Sequence, residues 1–128
     1  MRQFVPASPF ARLLGIAIRD LGDGWAELEL PFREDVATVG DTVHGGAIAT
    51  LADTTAMAAA WSGAEVPERL QGSTVSLALQ YAAAARSTDL VARATVTRRT
   101  RRLVFLAVTV TGADGAPVAH GVATYALG

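Results

Sequence analysis

The chain has 128 residues, a formal net charge of −1, and 51% apolar against 18% charged residues, which fits a single domain spanning 1–128. It contains no Cys, no Lys and no Asn, so all 11 basic residues are Arg. These absences exclude disulfides, thiolate nucleophiles, Cys-ligated metal sites, Schiff-base chemistry and a P-loop lysine.

Ser8 and Pro9 form an N-cap and first-turn pair for a short helix over Phe10–Leu14. Ile16 to Arg19 is a short apolar run that reads as a strand, and Gly22-Asp23-Gly24 marks a hairpin turn. Trp25 to Leu30 alternates strictly, with Ala26, Leu28 and Leu30 on one face, and Pro31 ends it. Residues 32–43 read as a loop. Gly45-Gly46 opens an Ala-rich segment from Ala47 to Trp61 that is apolar around its whole circumference, the pattern of a buried helix, with Gly63 and Pro67 closing it.

The remaining chain reads as strands. Thr74 to Tyr81 places Val75, Leu77, Leu79 and Tyr81 on one face. Leu90 to Thr97 follows a connection over 82–89, in which Ala82 to Ala85 fits either a strand extension or the start of a short loop. Leu103 to Thr111 and Pro117 to Leu127 form a hairpin around Gly112-Ala113-Asp114-Gly115. One long helix against consecutive hairpin-linked strands predicts an α+β fold on an antiparallel sheet.

Chemistry concentrates between Thr38 and Asp53. Two glycines at the mouth of a helix permit close backbone approach and leave N–H groups at the positive end of the helix dipole. Such donors suit a carbonyl oxygen that gains charge during reaction. The plainer reading is that Gly45-Gly46 only eases a tight entry. Asp53 is the sole charge between Gly45 and Ala64, with no basic residue one turn away. It is either a carboxylate held by Thr50, Thr54 or a neighbouring strand, or one placed to attack or to activate water. It lies two turns from Gly45, about 12 Å by helical rise, so a site shared between subunits would bring them together. His44 is a base, an orienting group, or a ring bonded to the helix start. With His44 and His120 the only histidines, a three-histidine metal site is excluded, no metal is expected, and His120 reads as structural. Arg98-Arg99-Thr100-Arg101-Arg102 is either a solvated turn or a phosphate-recognition cluster.

The near-neutral charge argues against nucleic-acid binding. The longest apolar run is too short to span a membrane, and no signal peptide is evident, so a cytoplasmic protein without membrane partners is expected. The apolar content of so short a chain points to an oligomer.

His44-Gly45-Gly46, Asp53 in an Ala-rich helix, Thr74-Val75 leading a strand to Tyr81, and the Arg98–Arg102 turn together resemble the hotdog-fold acyl-CoA thioesterases. The closest resemblance is to the PaaI-like, phenylacetate-pathway group of the 4-hydroxybenzoyl-CoA thioesterase superfamily, over roughly residues 10–127. It implies a hotdog fold, an antiparallel sheet wrapped around one long buried central helix, in homodimers or homotetramers with sites at the interface. It implies hydrolysis of an acyl-CoA, with coenzyme A as part of the substrate and no separate cofactor. Gly45 N–H would polarise the thioester carbonyl, His44 would shape the loop, and Asp53 of the other subunit would be nucleophile or general base. Thr74 would position water, and Thr38 stands where the family often has Asn or Gln. Gly46, Arg99, Thr100, Arg101 and Arg102 would meet coenzyme A, although the family often has Gly where Thr100 stands. Two other readings use the same fold: a non-catalytic acyl-CoA or small-ligand binding module, and an acyl-CoA dehydratase pairing His44 with Asp53.

Overall fold

The computed structural model describes residues 1–2, 4–63 and 71–128. Two short helices, α1 (Phe4–Ala7) and α2 (Pro9–Leu14), lead into the hairpin β1 (Ala17–Gly22) and β2 (Trp25–Leu30). A 3-10 turn at Glu34–Val36 precedes the long helix α3 (Gly45–Trp61). Four strands follow: β3 (Ser73–Tyr81), β4 (Leu90–Arg99), β5 (Leu103–Gly112) and β6 (Pro117–Ala126). All six form one antiparallel sheet in the order β1-β2-β4-β5-β6-β3, so β1 and β3 are its edges.

The local signals act as their chemistry requires. The Ser8 hydroxyl accepts from Ala11 N–H, and Gly15 closes α2 in the left-handed region at φ 77°. In β2, Ala26, Leu28 and Leu30 are buried, and so are Val104, Leu106, Val108 and Val110 of β5. These inward residues meet Leu51, Ala52, Ala56, Ala58, Ala59 and Ala60 of α3 in one core. The alanines let the sheet lie close against the helix. The 82–89 connection is a loop, tied to the loop before α3 by a bridge between Thr42 and Arg86. Pro67, expected to help end α3, lies outside the described residues.

Four expectations change. The first strand begins and ends later than the Ile16–Arg19 run, because Gly22 extends the hairpin ladder to Trp25. Helix α3 starts at Gly45, two residues early, and is not buried all round. Ala49, Thr50, Asp53, Thr54 and Met57 are half-buried and Gly46 is exposed, a stripe at helical spacing that the sheet does not cover.

The third and fourth changes are β-bulges. In β3, Thr74 pairs Tyr125 but Ser76 pairs Thr124, so Val75 is an extra residue. The bulge shifts the alternation. Thr74, Leu77, Leu79 and Tyr81 turn toward the helix, and Val75 is left 61% exposed rather than aligned with them. In β4 the register shifts between Val96 and Arg98, which carries the strand to Arg99 and pairs Arg99 with the inward-facing Val104.

Candidate active site

Asp53 sits at the middle of the uncovered stripe of α3. Its Oδ1 accepts a 2.6 Å hydrogen bond from the Thr74 hydroxyl on β3. Thr50 and Thr54 do not hold it. Their hydroxyls bond back to the carbonyls of Gly46 and Thr50, one turn earlier in the helix. Among the described residues no cation pairs with Asp53. Its second oxygen has no protein partner there and opens to a groove of about 510 Å³ lined also by Phe10, Thr50, Thr54 and Leu77.

At the N-terminus of α3, His44 is the N-cap. Its Nδ1 accepts from Gly46 N–H at 2.7 Å, which fixes the neutral tautomer with its proton on Nε2. Gly46 N–H is therefore used internally. Gly45 N–H, in the first helical position, makes no hydrogen bond among the described residues and is a free donor at the positive helix end. A methyl group at position 45 would lie 3.6 Å from the Tyr81 ring, an ordinary contact, so packing does not demand glycine there. The Tyr81 hydroxyl donates to the Gly45 carbonyl at 2.9 Å. A second hollow of about 310 Å³ adjoins this end, lined by Phe10, Leu14, Val36, Ala37, His44 and Ala47. Phe10 and Thr50 line both hollows.

The two polar centres therefore belong to neighbouring hollows. Gly45 and Asp53 are separated by two turns of one rigid helix, and one chain does not bring them to a common bond. Thr38 is exposed in the turn 38–42, where its N–H donates to Thr42 O, and it lines neither hollow.

The arginine cluster divides. Arg99 points inward from the β4 bulge and donates to the carbonyls of Ala60 and Ser62 at 2.7 and 2.8 Å, capping the negative end of α3. Arg98, Arg101 and Arg102 are exposed and carry no salt bridge among the described residues. Thr100 closes the turn through Leu103, accepting its N–H at the hydroxyl, without a left-handed backbone. His120 is exposed on the outer sheet face. Among the described residues no group of His and carboxylates is arranged to hold a metal, and no helix is long and apolar enough to cross a membrane.

The sequence places Tyr81 on one strand face with Val75, Leu77 and Leu79 and gives its hydroxyl no task. The acceptor is a backbone carbonyl, which leaves no mark in a sequence.

A six-stranded antiparallel sheet wrapped on one long helix, with a glycine pair at the helix mouth and a carboxylate two turns on, defines a hotdog-fold protein. Residues 40–119 match the thioesterase superfamily, and the chain belongs to that family. It is 33% identical over 101 residues to a Halobacterium salinarum protein named as an esterase; the match covers 77% of this chain and 66% of that protein, just under two-thirds of its length. The crystal structure of zebra fish thioesterase superfamily member 2 aligns with a TM-score of 0.85 at 29% identity, covering 99% of this chain and 95% of that one. The PaaI protein of the Escherichia coli phenylacetic acid degradation operon aligns with a TM-score of 0.87 at 18% identity, covering 98% and 88%, a likeness of fold.

Proposed function

We propose that the protein is an acyl-CoA thioesterase working as a homodimer, or a pair of dimers, with each site shared between two subunits. One observation carries this reading. Among the described residues Gly45 N–H is an unpaired donor and Asp53 a carboxylate with one free oxygen, yet one helix holds them about 12 Å apart. A twofold arrangement of α3 stripes would set the Gly45 of one subunit against the Asp53 of the other.

In that site Gly45 N–H donates to the thioester oxygen and stabilises the charge that develops there. Thr74 fixes Asp53 Oδ1 and leaves Oδ2 free for one of two roles. Either it attacks the carbonyl carbon, giving an acyl-aspartate anhydride that water then hydrolyses to the free acid and Asp53, or it takes a proton from a water that itself attacks that carbon as the C–S bond breaks. Coenzyme A leaves as the thiolate. The hollow beside His44 receives the acyl group, since Phe10, Leu14, Val36, Ala37 and Ala47 make it mainly apolar. At about 310 Å³ it suits a small or medium acyl group, being near the lower bound of small-molecule sites. Arg99 anchors the Arg turn to the C-terminal end of α3, so Arg98, Arg101 and Arg102 lie toward the Asp53 end and meet the nucleotide phosphates. Gly46 contributes through its lack of a side chain. Coenzyme A is part of the substrate, and the chemistry needs no further cofactor.

Complementation tests the shared site. Asp53→Asn and Gly45→Ala chains are each inactive alone. Unfolded together and refolded one to one, they recover roughly a quarter of wild-type turnover, since half the dimers are mixed and one of their two sites is intact. No recovery would place both groups in separate, single-chain roles. A second reading, a non-catalytic acyl-CoA binder, is favoured by Thr38 lying outside both hollows. It predicts ligand binding with no turnover across an acyl-CoA panel.

A further inference from the structure

The peptide group between Gly45 and Gly46 is held from both ends. Its carbonyl accepts from the Tyr81 hydroxyl at 2.9 Å, and its N–H donates to His44 Nδ1 at 2.7 Å. Glycine has no Cβ to restrict its backbone, so a glycine pair at a helix mouth is the place where conformational freedom is greatest. The two hydrogen bonds remove that freedom. They also polarise the peptide in one direction: donation to the carbonyl makes the N–H a stronger donor to the imidazole. A carbonyl oxygen has two lone pairs, so the Tyr81 bond does not compete with the helical ladder.

The approach to this peptide is fixed as well. His44 N–H donates to Val36 O at 2.7 Å, and Val43 N–H to Ala85 O at 2.8 Å. Tyr81 ends β3, and Ala82 N–H is tied to Val118 O at 2.8 Å, so the phenol extends from an anchored strand end. The Val75 bulge sets the phase that aims Thr74 at Asp53 and Tyr81 at Gly45. One edge strand therefore supports both polar centres.

Tyr81 is 53% exposed, and a solvated hydroxyl gains little stability from one bond to a backbone carbonyl. Its effect is on direction. We infer that Tyr81 is a positioning residue: with His44 it clamps the Gly45–Gly46 peptide and so fixes where the neighbouring Gly45 N–H points. This rests on the thioesterase reading, in which that N–H meets the developing oxyanion. A misaimed donor loses its hold on the transition state more than on the substrate, so the effect falls on kcat.

The test uses Tyr81→Phe, which keeps the ring against Gly45 and removes only the hydroxyl. Steady-state hydrolysis of an acyl-CoA panel is measured beside the melting temperature and the exchange rate of the Gly46 amide by NMR. The expected result is a kcat lower by about tenfold with KM within about twofold, an unchanged melting temperature, and faster Gly46 exchange. Wild-type kcat and wild-type Gly46 exchange in Tyr81→Phe would overturn the inference. So would a loss confined to KM. If the wild type hydrolyses no member of the panel, the thioesterase reading fails on its own. The exchange arm still decides the clamp, with an unchanged Gly46 rate counting against it and a faster one in its favour.

Discussion

Thr74 and Asp53 meet across 21 positions of sequence, one from the edge strand and one from the middle of the central helix, with 2.6 Å between hydroxyl and carboxylate oxygen. The bond occupies one oxygen and leaves the other toward the open groove. Asp53→Asn keeps an acceptor for Thr74 and removes the charge. It is expected to lower turnover of acyl-CoA substrates about a hundredfold or more, the usual scale for a lost general base. Its melting temperature should stay close to that of the wild type, because the amide oxygen still accepts from Thr74. Thr74→Val keeps the shape and drops the hydroxyl, with an expected loss of about tenfold. Kinetics and thermal melts on the three proteins check this. Undiminished turnover in Asp53→Asn removes Asp53 from the mechanism.

Gly45 supplies a second prediction, because among the described residues, its chain neighbours and own helix backbone aside, a methyl there would come no closer than 3.6 Å to any atom, the Tyr81 ring. Gly45→Ala should fold with a melting temperature within a few degrees of wild type. Its activity should fall steeply, since the added methyl stands beside the N–H that the thioester oxygen approaches. A variant that both folds and turns over normally would show that no ligand comes close to this backbone.

Much of the fold was legible because burial writes itself into side-chain periodicity. Strands β2 and β5 are read from Ala26-Leu28-Leu30 and Val104-Leu106-Val108-Val110, and α3 from its alanines. Bulges are not legible in that way. Val75 continues the apolar alternation, and only the pairing of Thr74 and Ser76 with Tyr125 and Thr124 shows it to be an extra residue. The same holds for Thr97, whose insertion shifts the alternation so that Arg99 rather than Arg98 faces inward and reaches the helix end. The candidate site was legible where it rests on residue type: a lone carboxylate, a glycine pair, a histidine at an N-cap. It was not legible where it rests on backbone acceptors, as with Tyr81 on the Gly45 carbonyl, or on the register of strand against helix, as with Asp53, for which the sequence offered a neighbouring strand but not Thr74 as the residue on it.

The arginine turn separates structure from recognition. Arg99→Gln loses two charge-assisted bonds to the carbonyls of Ala60 and Ser62 and should destabilise the fold by about 2 kcal/mol. Arg101→Gln with Arg102→Gln should leave stability nearly unchanged, because both side chains are exposed. The double variant should raise KM for coenzyme A thioesters several-fold and leave KM unchanged for an acyl-pantetheine that lacks the nucleotide phosphates. Equal shifts for both substrates would mean that the turn does not read phosphate.

Tyr125 offers a prediction for alkaline pH. The phenol is buried beside Trp61, whose Nε1–H donates to its oxygen at 3.1 Å, with the rings edge to face. Burial raises the Tyr125 pKa above the ordinary 10.0; the Trp61 bond opposes this, and the charge of Asp53 adds to it. The unfolded chain ionises this phenol first. Between the unfolded and folded values the native state holds more protons, so stability falls as pH rises. Below about pH 10 the group contributes no slope. Tyr125→Phe should therefore flatten part of the decline in unfolding free energy above that pH. At neutral pH it should cost about 1–3 kcal/mol, because it strips the acceptor from the buried Trp61 N–H. Urea melts from pH 7 to pH 11 on both proteins measure the two effects together. Parallel curves would show that Tyr125 ionises alike in the folded and unfolded chains.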